Sequence, residues 1–407
     1  MSLLSLTIRT SNNNTHSPTE GNTLDAFTTN AKAAPPPSII PPTAPIGGTL
    51  TLNGTAIMPF NGSVLPPQSS SANPPSTTTT TVSSSQTTQT NTLLPPPSQQ
   101  TLPPISSNNT STYWPTLAGG PPPSHYAWTP TLSQVTITLL LQHLRLEDIF
   151  LHLLWQGFTA LSPGGGGRWA GAYPPAMVKT VGAWAGQAAV HRSTMSEVLG
   201  HYNQSLASTC QLKASAVEGG VEGFVGAVAG VNAALLGALV DSAGRVGEGF
   251  VVGLVVAQVG ALGRVAGVVN MIQDHMASAR VREVGVPVGL AWSYVAGRWV
   301  EGCDGFAGTV WPALTVGGKV VEGAVVVKVE LVYDGGSGDV FVAWLGAYGL
   351  LEFTQVTESG GKKTAAVPDG WYGDVWIAVV NKNGLTLDEL ADHMVAGPER
   401  VWITEPW

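Results

Sequence analysis

From about Leu132 onward, apolar residues recur at helical spacing. The stretch Leu139 to Leu154 is apolar over most of its circumference, with polar positions about a turn apart, which predicts a helix buried in a bundle. Pro163 and the glycines that run to Gly167 must end it. A second helix is predicted from Pro175 to about His201, with Pro174-Pro175 as its start signal. Two more apolar helical segments follow, Gly223 to Val240 and Glu248 to about Asp274, separated by a short connection containing Asp241, Ser242, Gly244 and Arg245. Four long helices with a crossing loop around Cys210 make a bundle. A further helix from Pro287 to Val300, carrying Trp292 and Tyr294, is expected to pack onto it.

Beyond Pro312 the period changes from helical to alternating. Lys319 to Tyr333, Val340 to Leu345, Gly370 to Val380 and Arg400 to Thr404 are β-branched and aromatic runs. Turn formers separate them, among them Asp334-Gly-Gly-Ser-Gly-Asp339 and Asn381-Lys-Asn-Gly384. Short strands at this spacing predict a small antiparallel sandwich.

The N-terminal part has neither period. Up to about Ser111 it holds four charges (Arg9, Glu20, Asp25, Lys32) in a background of Ser, Thr, Pro, Asn and Gln. Such a segment has little to bury, while ordering each residue costs about 1–2 kcal/mol, so disorder is expected. Its composition is similar to that of O-glycosylated stalks. Asn53, Asn61 and Asn108 each begin an Asn-x-Ser/Thr triplet and are candidate glycosylation acceptors, although such triplets also arise by chance here. Residues 1–123 are therefore assigned to an arm, 124–310 to the bundle and 311–407 to the sandwich.

Composition narrows the function classes. The 407 residues carry a formal charge of −8, only 11% of them are charged, and no Lys/Arg-rich run is present, so nucleic acid is not an expected partner. The 49 glycines follow no three-residue period, which excludes collagen. The first ten residues lack a basic segment and a sustained apolar core, so they do not make a secretory signal. Cys210 and Cys303 belong to no CxxC pair, which excludes a zinc ribbon or a thioredoxin-like motif; they form either one long-range disulfide or two buried thiols.

Gly223 to Val240 has 18 residues without a formal charge, which reaches the lower limit for a membrane span. Gly and Ala replace most of the Leu, Ile and Phe that favour insertion. The 223–263 hairpin is therefore read as bundle core, with a membrane anchor as the alternative. Gly-x-Ser-x-Gly, P-loop and His-Glu-x-x-His sequences are all missing from the chain. Gly244, Gly247 and Gly249 lie between apolar helices, without the strand a dinucleotide fingerprint requires. His143, His152, His201 and His275 are expected at polar helix edges or as C-terminal caps.

The order of these segments resembles that of the fungal ferritin-like stress-response and sexual-development proteins, relatives of the plant desiccation-related proteins, from roughly Ser124 to the C-terminus. Leu141-Gln-His-Leu-Arg-Leu-Glu-Asp-Ile-Phe150 is similar to that family's L-Q-L-E-R-L-E-x-x-F-Y, with Glu147 and Phe150 in place and Leu144 where the first glutamate falls. Gln187-Ala-Ala-Val-His191 is similar to its Q-E-x-x-H, with His191 retained and Ala188 at the glutamate. The elements around Trp292 to Cys303 and Trp311-Pro-Ala-Leu-Thr315 resemble its M-A-W…C-P and F-P-A-L-T, and Cys210 matches its cysteine after the second helix.

The resemblance implies an α+β chain: a ferritin-like four-helix bundle followed by a small antiparallel β-sandwich, with a long disordered arm before them. It also implies a Cys210–Cys303 disulfide in an oxidising compartment, and hence an extracellular or cell-wall glycoprotein. A di-iron site needs a Glu from each of two helices and Glu-x-x-His from each of the other two. Here Glu147 and His191 are the remnant; the third helix offers Asn232, and the fourth offers Gln258 followed by Ala261. The expectation is thus a non-catalytic protein without a metal cofactor, structural or stress- and development-related, with cell-wall contact or self-association as its partnership. Its alternatives are a di-iron oxidase-like enzyme, for which iron would be the cofactor, and the membrane-anchored hairpin.

Overall fold

The computed structural model describes residues 51–52, 55–56, 113–123, 125–162, 167–206, 210–213, 215–277, 283–303, 308–317, 328–334 and 338–403. The chain divides into two compact units, Met1–Thr90 and Asn91–Trp407. In the first, β1 (Thr51–Leu52) and β2 (Thr55–Ala56) pair antiparallel, with Thr51 opposite Ala56. The remainder of the chain up to residue 112, including Asn53, Asn61 and Asn108, lies outside the described residues.

Among the described residues, the second unit begins with a short helix α1 (Tyr113–Ala118), within the stretch whose composition assigned it to the arm. Two long helices follow. In α2 (Gln134–Leu161) the Ser133 hydroxyl accepts from the Thr136 N–H, satisfying one of the unpaired donors at the helix start, and the chain leaves at Ser162 before Pro163. α3 (Pro175–His201) begins at a proline, whose missing N–H costs nothing in a first turn. Trp114 of α1 is buried and meets the Trp155 ring edge-on at 5.2 Å.

After the strand β3 (Cys210–Leu212) and the turn-length α4 (Ser215–Glu218) come α5 (Gly220–Ala243), α6 (Gly249–Ile272) and α7 (Val288–Trp299). α5 packs against α2, α6 and α7, and its apolar circumference is buried accordingly. The approaches are close because glycines face the bulky partners. A Cβ at Gly157 of α2 would lie 2.1 Å from the Phe224 ring of α5, and one at Gly230 of α5 would lie 2.3 Å from Trp299.

The strand β4 (Val300–Cys303) pairs antiparallel with β3, placing Cys210 opposite Cys303. Eight further strands form two four-stranded antiparallel sheets. One has the order β5 (Thr315–Gly317), β6 (Lys328–Val332), β10 (Lys362–Ala366), β9 (Thr357–Ser359). The other has the order β12 (Met394–Ile403), β11 (Gly373–Val380), β7 (Phe341–Leu345), β8 (Leu351–Gln355). Their inward side chains, Leu331, Val342, Trp344, Ile377 and Ala396 among them, share one apolar cluster.

The opposite face of the second sheet turns toward the helices: Leu345, Trp376 and Val380 belong to the same core as the interior of α2, α5 and α7. One ion pair crosses this junction, from Arg298 of α7 to Glu399 of β12; a second, with Arg400 Nε 2.7 Å from Asp374, joins β12 to β11 within the sheet. The guanidinium of Arg298 sits 4.1 Å above the Tyr294 ring, which meets Trp376 edge-on at 4.9 Å. Burial, then the nearby Glu399, pushes the Tyr294 phenol up to about 12.

Candidate functional site

α2 and α3 run side by side, and their polar residues meet inside the contact. His191 Nδ1 lies 3.2 Å from Glu147 Oε1, and one position further along each helix Arg192 Nε lies 2.5 Å from Asp148 Oδ1. Glu147 is fully buried and Asp148 2% exposed. Glu147 Oε2 and Asp148 Oδ2 find no hydrogen-bond partner among the described residues. Desolvation raises the Glu147 carboxyl above its ordinary value, against the smaller lowering effect of His191.

Two further polar contacts tie α2 to the opposite helices. His143 Nε2 lies 2.8 Å from the Ser242 hydroxyl near the end of α5, and both residues are fully buried. Burial drives the His143 imidazole down to about 3, so it is neutral throughout the physiological range. Glu248, at the start of α6, accepts from the Thr136 hydroxyl and the Ser133 N–H; these bonds hold its carboxyl below the usual range although burial works against them.

Of the three candidate ligand positions, Glu147 and His191 are thus joined. Gln258 is buried on α6, and no hydrogen bond links it to either of them among the described residues. Leu144, Ala188 and Ala261, at 3%, 1% and 7% exposure, occupy the interior where the resemblance places carboxylate and imidazole ligands. Asn232 spends its amide N–H on the Leu262 carbonyl at 3.2 Å. The described residues contain no group of three or more His, Cys, Asp or Glu disposed to hold a metal ion. One carboxylate and one imidazole do not fit a di-iron centre, whose two hard cations need several anionic oxygens. The Glu147–His191 pair can share a proton and fasten α2 to α3.

One histidine corrects the expectation of polar edges and caps: His143 is a core residue. His152 does take a carbonyl on its own helix, with Nδ1 2.7 Å from the Asp148 oxygen. His201 stacks on Trp128 at 3.9 Å and His275 on Trp402 at 3.9 Å, so both sit against aromatic faces. The Asp148–Arg192 pair escaped the sequence analysis. The signal was present: a carboxylate adjoining Glu147 and a cation adjoining His191 form a second rung of the same ladder.

The two cysteines form a disulfide with Cα atoms 4.3 Å apart across the β3–β4 pair. The helices α5 and α6 are both long and apolar enough to cross a membrane; the apolar window of α5 is 78% buried against its neighbours and that of α6 33%. No protein-family profile matches this chain, and no characterised protein matches it at a significant level.

Proposed function

We propose that this chain is a non-catalytic, ferritin-like protein whose metal site has been replaced by apolar packing, acting outside the cell or at the cell wall in a structural, stress- or development-related role. The observation that carries this reading is the filling of the ligand positions: Leu144, Ala188 and Ala261 are buried side chains without donor atoms, and the Glu147–His191 pair remains among them. The Cys210–Cys303 bond supports an oxidising compartment, since thiols are held reduced in the cytosol. The four long helices α2, α3, α5 and α6 and the two antiparallel sheets that follow them support this reading.

Metal analysis of the purified full chain tests this reading. The expected result is no stoichiometric iron, in the native chain and in Glu147→Ala/His191→Ala alike, with no iron-dependent oxidation in either. Two iron atoms per chain, lost in the double variant, would establish the oxidase alternative instead. Location is tested separately: glycosylated mature chain in the culture medium or wall fraction is expected, and unglycosylated chain confined to the soluble cytosol would refute it.

A further inference from the structure

α5, α6 and the second sheet do not close completely on one another. They leave a cavity of about 180 Å³ lined by Asn232 and Asn270 from the helices, Asp374, Trp376 and Arg400 from the sheet, and Glu283. Protein interiors normally pack without voids of this size. Here small residues make up much of the helical wall, Ala229, Ala233 and Gly237 from α5 and Gly263 and Ala266 from α6. A Cβ added at Gly263 would meet nothing within 4 Å.

The lining is polar on several sides, which separates it from an apolar packing defect. Asn232 is 1% exposed, its amide N–H is committed to Leu262, and its Oδ1 has no hydrogen-bond partner among the described residues. A buried acceptor in that condition favours a ligand that brings a donor. Asp374 and Arg400 face each other as an ion pair at 2.7 Å. Burial opposes the Arg400 charge, but Asp374, then Tyr294 and Glu399, outweigh it and raise the guanidinium pKa, so the guanidinium stays charged.

We propose that this cavity binds a neutral, polyhydroxylated molecule of monosaccharide size. A hydroxyl both donates and accepts, so one ligand can donate to Asn232 Oδ1 and the carboxylates and also accept from the guanidinium and the Asn270 amide. The Trp376 ring and the Ala/Gly wall offer apolar surface to the C–H faces of such a ring. An anion would meet Asp374 and Glu283 in a chain of net charge −8, and a cation would meet Arg400. The volume lies below the ~300–1,000 Å³ of sites for drug-sized ligands, which sets the size at one small ring. This assignment goes beyond the structural role proposed above and does not depend on it.

The test uses the full chain titrated into the millimolar range with D-glucose and myo-inositol, with glutamate and putrescine as charged controls, read by ligand-observed saturation-transfer NMR and by melting temperature. Saturable binding of at least one polyol with a raised melting temperature is expected. Gly263→Leu, which extends into the open space, and Asn232→Leu should each weaken it about tenfold or more. Should either variant fail to fold, judged by circular dichroism, Asn270→Ala carries the same expectation. The absence of saturable polyol binding, with water as the only occupant, overturns the proposal. So does binding that the folded variants leave unchanged, or a preference for glutamate or putrescine.

Discussion

At the scale of single residues, the α2 interior contains two titratable groups whose effects on stability oppose each other. His143 binds its proton far less well in the native state, at about 3, than the ordinary histidine value of 6.5. Its contribution is therefore complete above about pH 6.5 and is lost as pH falls toward 3, with a slope of about 1.4 kcal/mol per pH unit. Glu147 is raised instead, so its native carboxyl holds its proton where the unfolded chain has released it. Stability from that group is complete below the ordinary carboxylate value and is lost as pH rises through the native one. His143→Gln should flatten the acid limb of a urea-unfolding pH profile, and Glu147→Gln should raise stability near neutrality while keeping an acceptor for His191. Parallel pH profiles for Glu147→Gln and the parent chain would show that this carboxyl is not raised. Only part of this site was legible in the sequence. Glu147 and His191 were found because a motif named them, whereas the burial of His143 depends on α5 bringing Ser242 across a separation that no local pattern encodes.

At the scale of elements, the helices follow from their sequences more directly than the strands do. α3 occupies the predicted Pro175 to His201, because a proline start and a sustained 3.6-residue pattern are local signals. Strands β8 to β10 went unpredicted: Leu351-Glu-Phe-Thr-Gln355 and Lys362-Lys-Thr-Ala-Ala366 carry few β-branched residues, and their faces are set by partners far along the chain. One local cue was available there. Gly360 and Gly361 have φ values of 60° and 77°, the two left-handed positions of a tight hairpin that sets Ser359 opposite Lys362.

The helical glycines were not separable by sequence either, and they give a prediction. Gly253 and Gly260 of α6 face open space, so Ala there should stabilise by about 0.5–1 kcal/mol each through helix propensity. Gly157→Ala, whose Cβ would enter the Phe224 ring, should destabilise by about 1–3 kcal/mol. Chemical denaturation of the three variants checks the opposite signs.

The outer face of α6 carries Val256, Val268, Met271 and Ile272, each at least 40% exposed. If that face meets water, Val256→Lys and Val268→Lys should change stability by less than about 0.5 kcal/mol and leave the chain in the soluble fraction. Under the membrane-anchor alternative each lysine would cost about 2.5–3.5 kcal/mol of insertion, and the pair would release the chain from membranes.

At the scale of the whole molecule, the disulfide and the helix–sheet junction act on the same cooperative unit. The bond closes a loop with a sequence separation of 93 that contains α4, α5, α6 and α7. In the chain-entropy account, closing a loop of that length removes about 4–5 kcal/mol worth of freedom from the unfolded state. Helices rich in glycine gain most from such a restraint, because their unfolded forms are the most disordered. Sequence alone would divide the helices from the sheets and expect reduction to weaken the helices first. The junction argues otherwise. Trp376 and Leu345 are buried in the helical core, Arg298 of α7 pairs with Glu399 of β12, and residues 91–407 form a single compact unit. A helix layer that loosens would uncover the sheet face it covers, so neither part has a separate transition to follow. Reduction, or Cys210→Ser with Cys303→Ser, should therefore lower the melting temperature by on the order of 5–10 °C in one step. Far-ultraviolet circular dichroism, which follows the helices, and the strand component of the infrared amide I band, which follows the sheets, should then trace coincident curves. Two separated transitions, with the strand signal unaffected by reduction, would show that the junction does not couple the two layers.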